Sequence, residues 1–411
     1  MPGAAQPSPS RRYAAKRDAI LVAASKVFTD NGASGFTLAA VAKRMDLHPV
    51  SLTYYYKRKE DLAAACILHT ITRLSDMLAE AEAEPSPTER LRRFITAYYA
   101  ARRRILEDGE PQFVPMGEIR TIGAPYEDSL VTAYQAFSQR LTSLLKDSEA
   151  PLSGGRRRAL THLLINQLFW SDTWIGAYQV EDYGRIGERV ADIIIGGLAA
   201  PGRASPETPL LALGAPPADN DEITRERFLI AATDLINQEG YRGASVDKIS
   251  ARLNVTKGSF YHHNSDKDGL VLACFERSFE LIDEAKRKAA PAADGWERLW
   301  LAAASLAMHQ TRGDRGRLLR HHALAALPIE TRKATMARFQ QIAHAFAGVI
   351  SDGVMDGSIR PVDPLLAAQL VMAMFNCALP LDYWTPGSTL ETVMDAHVRP
   401  ALMGVFSPAT A

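Results

Sequence analysis

The fold is decided by residues 222–270, whose central part, residues 254–263, reads Asn-Val-Thr-Lys-Gly-Ser-Phe-Tyr-His-His. The same pattern occurs 208 positions earlier, where residues 46–55 read Asp-Leu-His-Pro-Val-Ser-Leu-Thr-Tyr-Tyr. The register holds without a gap on both sides of this core. Because a long internal repeat is the signature of a duplicated structural unit, the 411 residues predict two copies of one architecture.

Each copy has the pattern of three helices. Apolar residues recur at helical spacing, a glycine that can end the helix in a left-handed conformation follows, and a good N-cap residue comes next. These residues are Ile20, Ala23, Ala24, Val27, Phe28, Gly32 and Thr37 in the first copy and Phe228, Ala231, Ala232, Leu235, Ile236, Gly240 and Ser245 in the second. The third helix is predicted to start at Thr256 in the second copy and at His48 in the first, with Pro49 at a position where proline is tolerated. Two short helices joined by a tight turn form a helix-turn-helix, whose second helix enters the major groove of DNA.

The second copy resembles the DNA-binding domain of TetR/AcrR-type transcriptional regulators through residues 256–263 and the following Lys267, and the first copy resembles it more loosely. The first copy has Val50 where the family usually has glycine and Thr53 where it usually has tyrosine. The resemblance implies an all-α fold of two tandem TetR-like units. Each unit would join a three-helix DNA-binding domain to an all-helical regulatory domain.

This arrangement divides the chain into six segments. They are a disordered basic arm (1–15), a first helix-turn-helix domain (16–62), a first helical regulatory and dimerisation-like domain (63–200), a linker (201–221), a second helix-turn-helix domain (222–270) and a second helical regulatory and dimerisation-like domain (271–406). The linker is predicted from its Pro, Gly, Ala and Ser content without periodicity. Fully extended, it would span at most about 65–70 Å.

Composition excludes several classes of protein. Lys+Arg and Asp+Glu are both 47, which argues against indiscriminate coating of nucleic acid but allows a local basic footprint. Three cysteines cannot build a disulfide framework, so a reducing compartment and a cytoplasmic location are predicted. The sequence has no apolar run of about 18 residues, so no membrane association is expected. It also lacks a phosphate-binding glycine loop and a nucleophile elbow, so we expect neither an enzyme nor a cofactor. No metal site is expected, because the adjacent His321 and His322 would point in different directions on a helix.

Side chains on and beside the two recognition helices are predicted to contact double-stranded operator DNA. Lys257 can donate to guanine, whereas Pro49 and Thr53 offer apolar contact suited to thymine methyl groups. The resemblance implies that Lys59 and Lys267 contact phosphate. The predicted set is Thr37, His48, Pro49, Ser51, Thr53, Tyr54 and Lys59 in the first copy and Ser245, Thr256, Lys257, Gly258, Ser259, Tyr261, His262 and Lys267 in the second.

The resemblance also implies a repressor that is released by a small, largely apolar effector bound inside a helical half. Large aromatic and histidine side chains are the candidates to line such a pocket, and core packing is the competing interpretation for each of them. The candidates are Tyr98, Phe137, His162, Trp170 and Trp174 in the first half and Trp300, His309, Phe339, Phe375 and Trp384 in the second.

The duplication carries an expectation about assembly. One helix-turn-helix reads one half-site, so an ordinary member of this family acts as a dimer. Here we expect an intramolecular pseudo-dimer, in which residues 156–199 pack against residues 364–405 as a four-helix bundle. A homodimer of chains is the alternative assembly. The alternative function is a helical ligand-binding or scaffold protein with a degenerate DNA-binding fold.

Overall fold

A computed structural model of the chain describes residues 9–146, 154–214, 225–258, 266–312, 315–378 and 393–407. Within these residues the structure consists of helices and connecting segments, with one isolated antiparallel bridge between Ala199 and Ile359. The prediction of an all-α fold is therefore confirmed.

The described helices of the second half largely follow the order of those in the first. The first half contains α1 (Pro9–Gly35), α2 (Leu38–Arg44), α3 (Pro49–Thr53), α4 (Lys59–Ala81), α5 (Pro87–Glu107), α6 (Ile119–Ile122), α7 (Glu127–Leu144), α8 (Gly154–Trp170) and α9 (Tyr183–Gly196). The second half contains α10 (Arg225–Gly243), α11 (Val246–Arg252), α12 (Lys267–Ala289), α13 (Gly295–Arg312), α14 (Ile329–Asp356), α15 (Pro364–Cys377) and α16 (Arg399–Met403). No α-helix equivalent to α3 or α6 is described in the second half.

Four residues in left-handed conformation make the sharp turns of the two DNA-binding domains. Gly32 and Gly240 have φ values of 65° and 73° and kink α1 and α10, at the positions where the sequence predicts the first helix of each copy to end. Asp46 and Asn254 have φ values of 53° and 55° in the turns that precede the recognition helices. Asp and Asn tolerate this conformation better than other residues with a side chain. The repeat therefore extends to the backbone conformation of both turns.

The prediction of a disordered arm over residues 1–15 is wrong for residues 9–15, because these residues form the first turns of α1. Tyr13 stacks on Tyr55, which follows the recognition helix α3, with 5.0 Å between ring centroids. This contact holds the N-terminal turns against the domain. Residues 1–8 lie outside the described residues.

The linker is packed against the second half along residues 201–214. The indole Nε1 of Trp296 donates to the carbonyl of Ala204 at 3.1 Å, and the amide of Leu211 donates to Ser305 Oγ at 2.9 Å. This part of the linker is therefore a strap along α13 and not a loose tether.

The segments predicted to form the four-helix bundle, 156–199 and 364–405, are not continuous helices. In the first segment α8 ends at Trp170, and two 3₁₀ turns follow it, Ser171–Thr173 and Ile175–Ala177. The second segment contains a π turn at Met394–Val398 before α16. Residues 379–392 lie outside the described residues.

Among the described helices, α4 alone has the length and mean hydropathy of a membrane span, and most of that apolar stretch is buried inside the protein. Cys66 on α4 and Cys274 at the equivalent position of α12 are buried, as is Cys377. Desolvation raises the pKa of Cys66 to about 12 and that of Cys274 to about 11, so both thiols stay protonated near neutral pH.

The closing helices of the two halves pack directly against each other. α8 contacts α15 and the Met394–Val398 turn, and α9 contacts α15 and α16. One hydrophobic core runs through both halves without interruption, including Leu163 and Leu164 of α8 and Leu366 and Leu370 of α15. The two halves therefore share one core.

Backbone hydrogen bonds close this interface at the C-terminal ends of α9 and α16. The amide of Leu198 donates to the carbonyl of Leu402 at 2.7 Å, and the amide of Val405 donates to the carbonyl of Ile194 at 3.0 Å. The two bonds are nearly reciprocal across the repeat, which is the pattern of a two-fold dimer contact.

Polar side chains fix the register of the same interface. The indole Nε1 of Trp170 donates to Gln369 Oε1 at 3.1 Å, and both residues are buried. Arg156 donates to the carbonyl of Ser407 at 2.7 Å. A buried polar group costs stability unless it is paired, so these bonds disfavour other alignments of the two halves.

Three histidines lie at or beside this interface. His162 Nε2 is 3.3 Å from the carbonyl oxygen of Cys377, and the His321 ring lies 4.7 Å from the Trp170 ring. His397 is fully buried, with Nε2 2.9 Å from the Met374 carbonyl oxygen. Desolvation lowers the pKa of His162 to about 3 and those of His321 and His397 to about 4. Nearby positive charge, including that of Arg320, contributes to the lowered pKa values of His162 and His321.

We expect mild acid to destabilise the protein through these histidines. Their folded pKa values lie below the unfolded value of about 6.5, so the unfolded chain binds more protons as the pH falls from about 6.5 towards 4. Stability is then lost by up to about 1.4 kcal/mol per pH unit for each histidine. Urea unfolding at pH 7.5, 6.0 and 5.0 measures this slope. His397→Gln should make the slope shallower, whereas His344→Gln, at an exposed position of α14, should leave it unchanged. Equal slopes in all three proteins would contradict the assignment.

Candidate nucleic-acid interface

The first helix-turn-helix is built by the caps that the sequence predicts. Thr37 Oγ1 accepts a hydrogen bond from the amide of Ala40 at 3.0 Å, and His48 Nδ1 accepts from the amide of Val50 at 3.4 Å. Pro49 occupies the first position of α3. These contacts set the start of both short helices, so the direction of α3 is fixed by local chemistry.

α3 turns one side chain inwards and exposes the others. Leu52 is fully buried, and Tyr56, just after the helix, is buried with its hydroxyl 3.2 Å from Arg17 Nε. Tyr56 therefore closes the small core. The predicted contact residues His48, Pro49, Ser51, Thr53 and Tyr54 are all exposed.

Basic residues follow α3 directly. Lys57 and Lys59 are exposed. Arg58 is engaged locally, because its backbone amide and its Nε both donate to Asp61. Asp61 also accepts a hydrogen bond at 2.9 Å from the hydroxyl of Tyr126, at the start of α7. The N-terminus of α4 is thus tied to the regulatory part of the first half.

The second unit repeats the first cap and differs in its charges. Ser245 Oγ accepts from the amide of Lys248 at 3.2 Å, as predicted. Lys257 Nζ lies 2.6 Å from Asp247 on α11, and both side chains are largely exposed. The ion pair holds the ammonium group of Lys257 beside the start of the recognition segment.

Lys267 is placed differently from Lys59. Its ammonium group donates to the carbonyl of Tyr241 and sits 4.0 Å from the centroid of the Tyr241 ring. Thr256, Lys257 and Gly258 are exposed, and residues 257 and 258 are helical. Ser259, Tyr261 and His262 lie outside the described residues, so their predicted roles stay predictions.

The predicted effector residues that the structure describes lie in the packed core, except His162, which is half-buried against the Cys377 carbonyl of the other half. Tyr98, Phe137, Trp170, Trp174, Trp300, His309, Phe339 and Phe375 are buried. Trp170 in particular packs at the interface between the halves, where it contacts His321, Phe339 and Gln369. Trp384 lies outside the described residues. The structure thus favours core packing over an open pocket at these positions.

A surface cleft of about 210 Å³ lies elsewhere, among α12, α13 and α14 of the second half. Alanines, Phe346 and Val349 form its apolar wall, and Lys286, Arg298 and Asp352 are the charged residues that line it. None of the ten predicted pocket residues lines it. The sequence offers no pattern that marks this cleft, because three helices contribute to it.

Sequence reasoning missed other residues near the DNA-facing surface. Tyr13 contacts Tyr54 at the end of α3, and Asp247 pairs with Lys257. Tyr126 donates to Asp61 near the start of α4. Val50 could have been found from the sequence, because valine stands there at a position of the recognition helix where the family usually has glycine.

The first unit has a helix-turn-helix with an exposed recognition helix, and the described start of the second recognition segment, residues 256–258, is exposed as well. These are the features of a DNA-binding protein. The family described as "Bacterial regulatory proteins, tetR family" matches residues 20–66 and again 228–274. The family described as "Tetracyclin repressor-like, C-terminal domain" matches residues 292–379. The chain belongs to the TetR family of DNA-binding transcriptional regulators and contains two TetR-like units in tandem.

Individual relatives cover parts of the chain. The Transposon Tn10 TetC protein of Escherichia coli is 33% identical over 81 residues, which are 20% of this chain and 41% of that protein. The crystal structure of AibR in complex with isovaleryl coenzyme A and operator DNA is 28% identical, covers 44% of this chain and 100% of its own, and has a TM-score of 0.37. The regulator PfmR from Thermus thermophilus is 23% identical, covers 44% of this chain and 98% of its own, and has a TM-score of 0.36.

Proposed function

We propose that one chain is a complete operator-binding unit, an intramolecular pseudo-dimer that reads two unlike half-sites on double-stranded DNA. The observation that supports this most is the packing of α8 and α9 against α15 and α16 within a single chain. In a protein with one unit per chain, the corresponding surfaces would be free to meet a second copy. Here the nearly reciprocal bonds at Leu198 and Val405 occupy them.

The two recognition segments support unlike half-sites. α3 presents Pro49, Val50 and Thr53, whereas the second unit presents Lys257 at the position equivalent to Pro49. Lysine donates hydrogen bonds to guanine, and apolar groups contact the thymine methyl group. The operator would therefore not be a palindrome, with half-site centres about one DNA turn or somewhat more apart.

Light scattering, with the chain alone and on a DNA site selected from a random library, tests the assembly. A mass near 45.0 kDa and one chain on one asymmetric footprint would support the pseudo-dimer. A stable species of twice that mass with a palindromic footprint would show a homodimer of chains instead. Failure to select any sequence would favour a helical scaffold with a degenerate DNA-binding fold.

We further propose that the protein is a cytoplasmic repressor that a small, largely apolar effector releases from DNA. Membership of the TetR family supports this, and the buried aromatic side chains of both halves allow it. An effector can act only if it binds the DNA-incompetent arrangement of the two units more tightly than the competent one. A thermal-shift screen with lipids, aromatic compounds and coenzyme A thioesters tests it. A ligand must both stabilise the protein and weaken DNA binding, otherwise the effector proposal fails.

A further inference from the structure

Exposed apolar side chains are concentrated on the first recognition surface. Val50 is 67% exposed and Tyr54 is 76% exposed, at positions i and i+4 on one side of α3. Tyr13, 39% exposed, lies beside them. Because Val50 and Tyr54 are largely exposed, they bury little apolar area within the protein. This surface is therefore suited to an apolar partner.

The same surface has little charge. From Leu47 to Tyr56 the sequence contains no lysine, arginine, aspartate or glutamate. The exposed Thr53 hydroxyl donates to the carbonyl of Val50 at 2.7 Å, so its proton is already used within the helix. Base readout by charged or amide side chains is therefore not available on α3.

Tyr54 is held in place by neighbouring aromatic rings. The rings of Tyr54 and Tyr55 meet edge to face at 5.1 Å, and Tyr13 stacks on Tyr55 at 5.0 Å while lying 5.9 Å from Tyr54. Such aromatic contacts restrict the ring before DNA binds. The N-terminal turns of α1 thus support a preformed apolar contact surface.

We propose that Val50 and Tyr54 recognise the 5-methyl groups of thymines in the half-site bound by the first unit. The proposal rests on the proposed function, in which α3 enters the major groove. The methyl group of thymine is the one apolar feature of the major-groove edges of the bases. In this arrangement the first unit recognises its bases through contacts of α3 with thymine methyl groups, and Lys57 and Lys59 contact the phosphates. The second unit recognises its own half-site through Lys257.

Deoxyuridine gives a direct test, because it keeps the hydrogen-bonding edge of thymine and lacks only the methyl group. The selected operator is synthesised with deoxyuridine in one half-site at a time, and binding is measured by fluorescence anisotropy at fixed salt. Each methyl group lost from a buried contact should weaken binding about fourfold. The effect should appear in one half-site and not in the other.

Variants show which side chain makes the contact. Val50→Ala should bind the thymine operator more weakly and lose most of its sensitivity to deoxyuridine in that half-site. Lys257→Ala, the matched control in the second unit, should keep that sensitivity. Tyr54→Phe should bind like the wild type, whereas Tyr54→Ala should bind more weakly. Circular dichroism melting checks that these exposed substitutions leave the fold intact.

Two results would overturn the inference. One is wild-type protein that protects both half-sites yet binds thymine and deoxyuridine operators equally. The other is a selected operator with no thymine in either half-site. Both leave the proposed function standing, whereas failure to select any DNA sequence would remove the proposed function together with this inference.

Discussion

Replacing Gly197 by alanine should destabilise the protein by about 2–5 kcal/mol. Gly197 has a φ of 69°, where a residue with a Cβ costs about 1–2 kcal/mol. A Cβ there would also come within 3.0 Å of the backbone of Met403 and Gly404 in the other half. Overpacking of this kind costs roughly a further 1–3 kcal/mol, because backbone atoms cannot turn aside as a side chain can. Urea unfolding at neutral pH measures the loss.

Gly202 provides the matched control for backbone strain. Its φ is 76°, and a Cβ there would meet nothing within 4 Å. Gly202→Ala should therefore show the conformational cost alone, about 1–2 kcal/mol. Because Gly197 closes the contact between the halves, Gly197→Ala should also weaken operator binding, whereas Gly202→Ala should not. Equal destabilisation by both substitutions would mean that the two backbones do not approach each other closely in solution.

The local geometry of the DNA-binding domains could be read from sequence because it depends on nearest neighbours. Gly32 kinks α1 through its positive φ, and Thr37 caps the next helix through an amide three residues away. Such signals act within a few residues, so one sequence suffices to find them. The repeat then tests such a signal twice, as the matching caps formed by Thr37 and Ser245 show.

The contacts between distant segments could not be read in the same way. Trp170 has the composition of a pocket residue, yet it meets Gln369 and His321 across the interface between the halves. The linker looks like a tether by composition, and its packing along α13 depends on Trp296 and Ser305, which lie far along the chain. Periodicity gives the buried face of a helix and not the partner that buries it.

The largest expected change in specificity comes from making the two recognition helices alike. The exposed residues of α3 would be exchanged for their counterparts in the second unit by His48→Thr, Pro49→Lys, Val50→Gly, Thr53→Tyr and Tyr54→His. The buried Leu52 and Tyr56 stay unchanged, so the small core of the first domain is kept.

The exchanged protein should select an inverted repeat of the second half-site in place of an asymmetric operator. A well-placed pair between a side chain and a base is worth about 1–3 kcal/mol, so its affinity for the symmetric site should rise roughly 10–100-fold above that of the wild type. Selection from a random library, followed by anisotropy titrations of both proteins on both sites, measures the change. The wild type is the control on the symmetric site, where its first unit faces the wrong bases. If the exchanged protein still selects the asymmetric site, then the exposed residues of α3 do not determine which bases the first unit reads. Specificity would then have to come from residues outside α3 or from the deformability of the DNA.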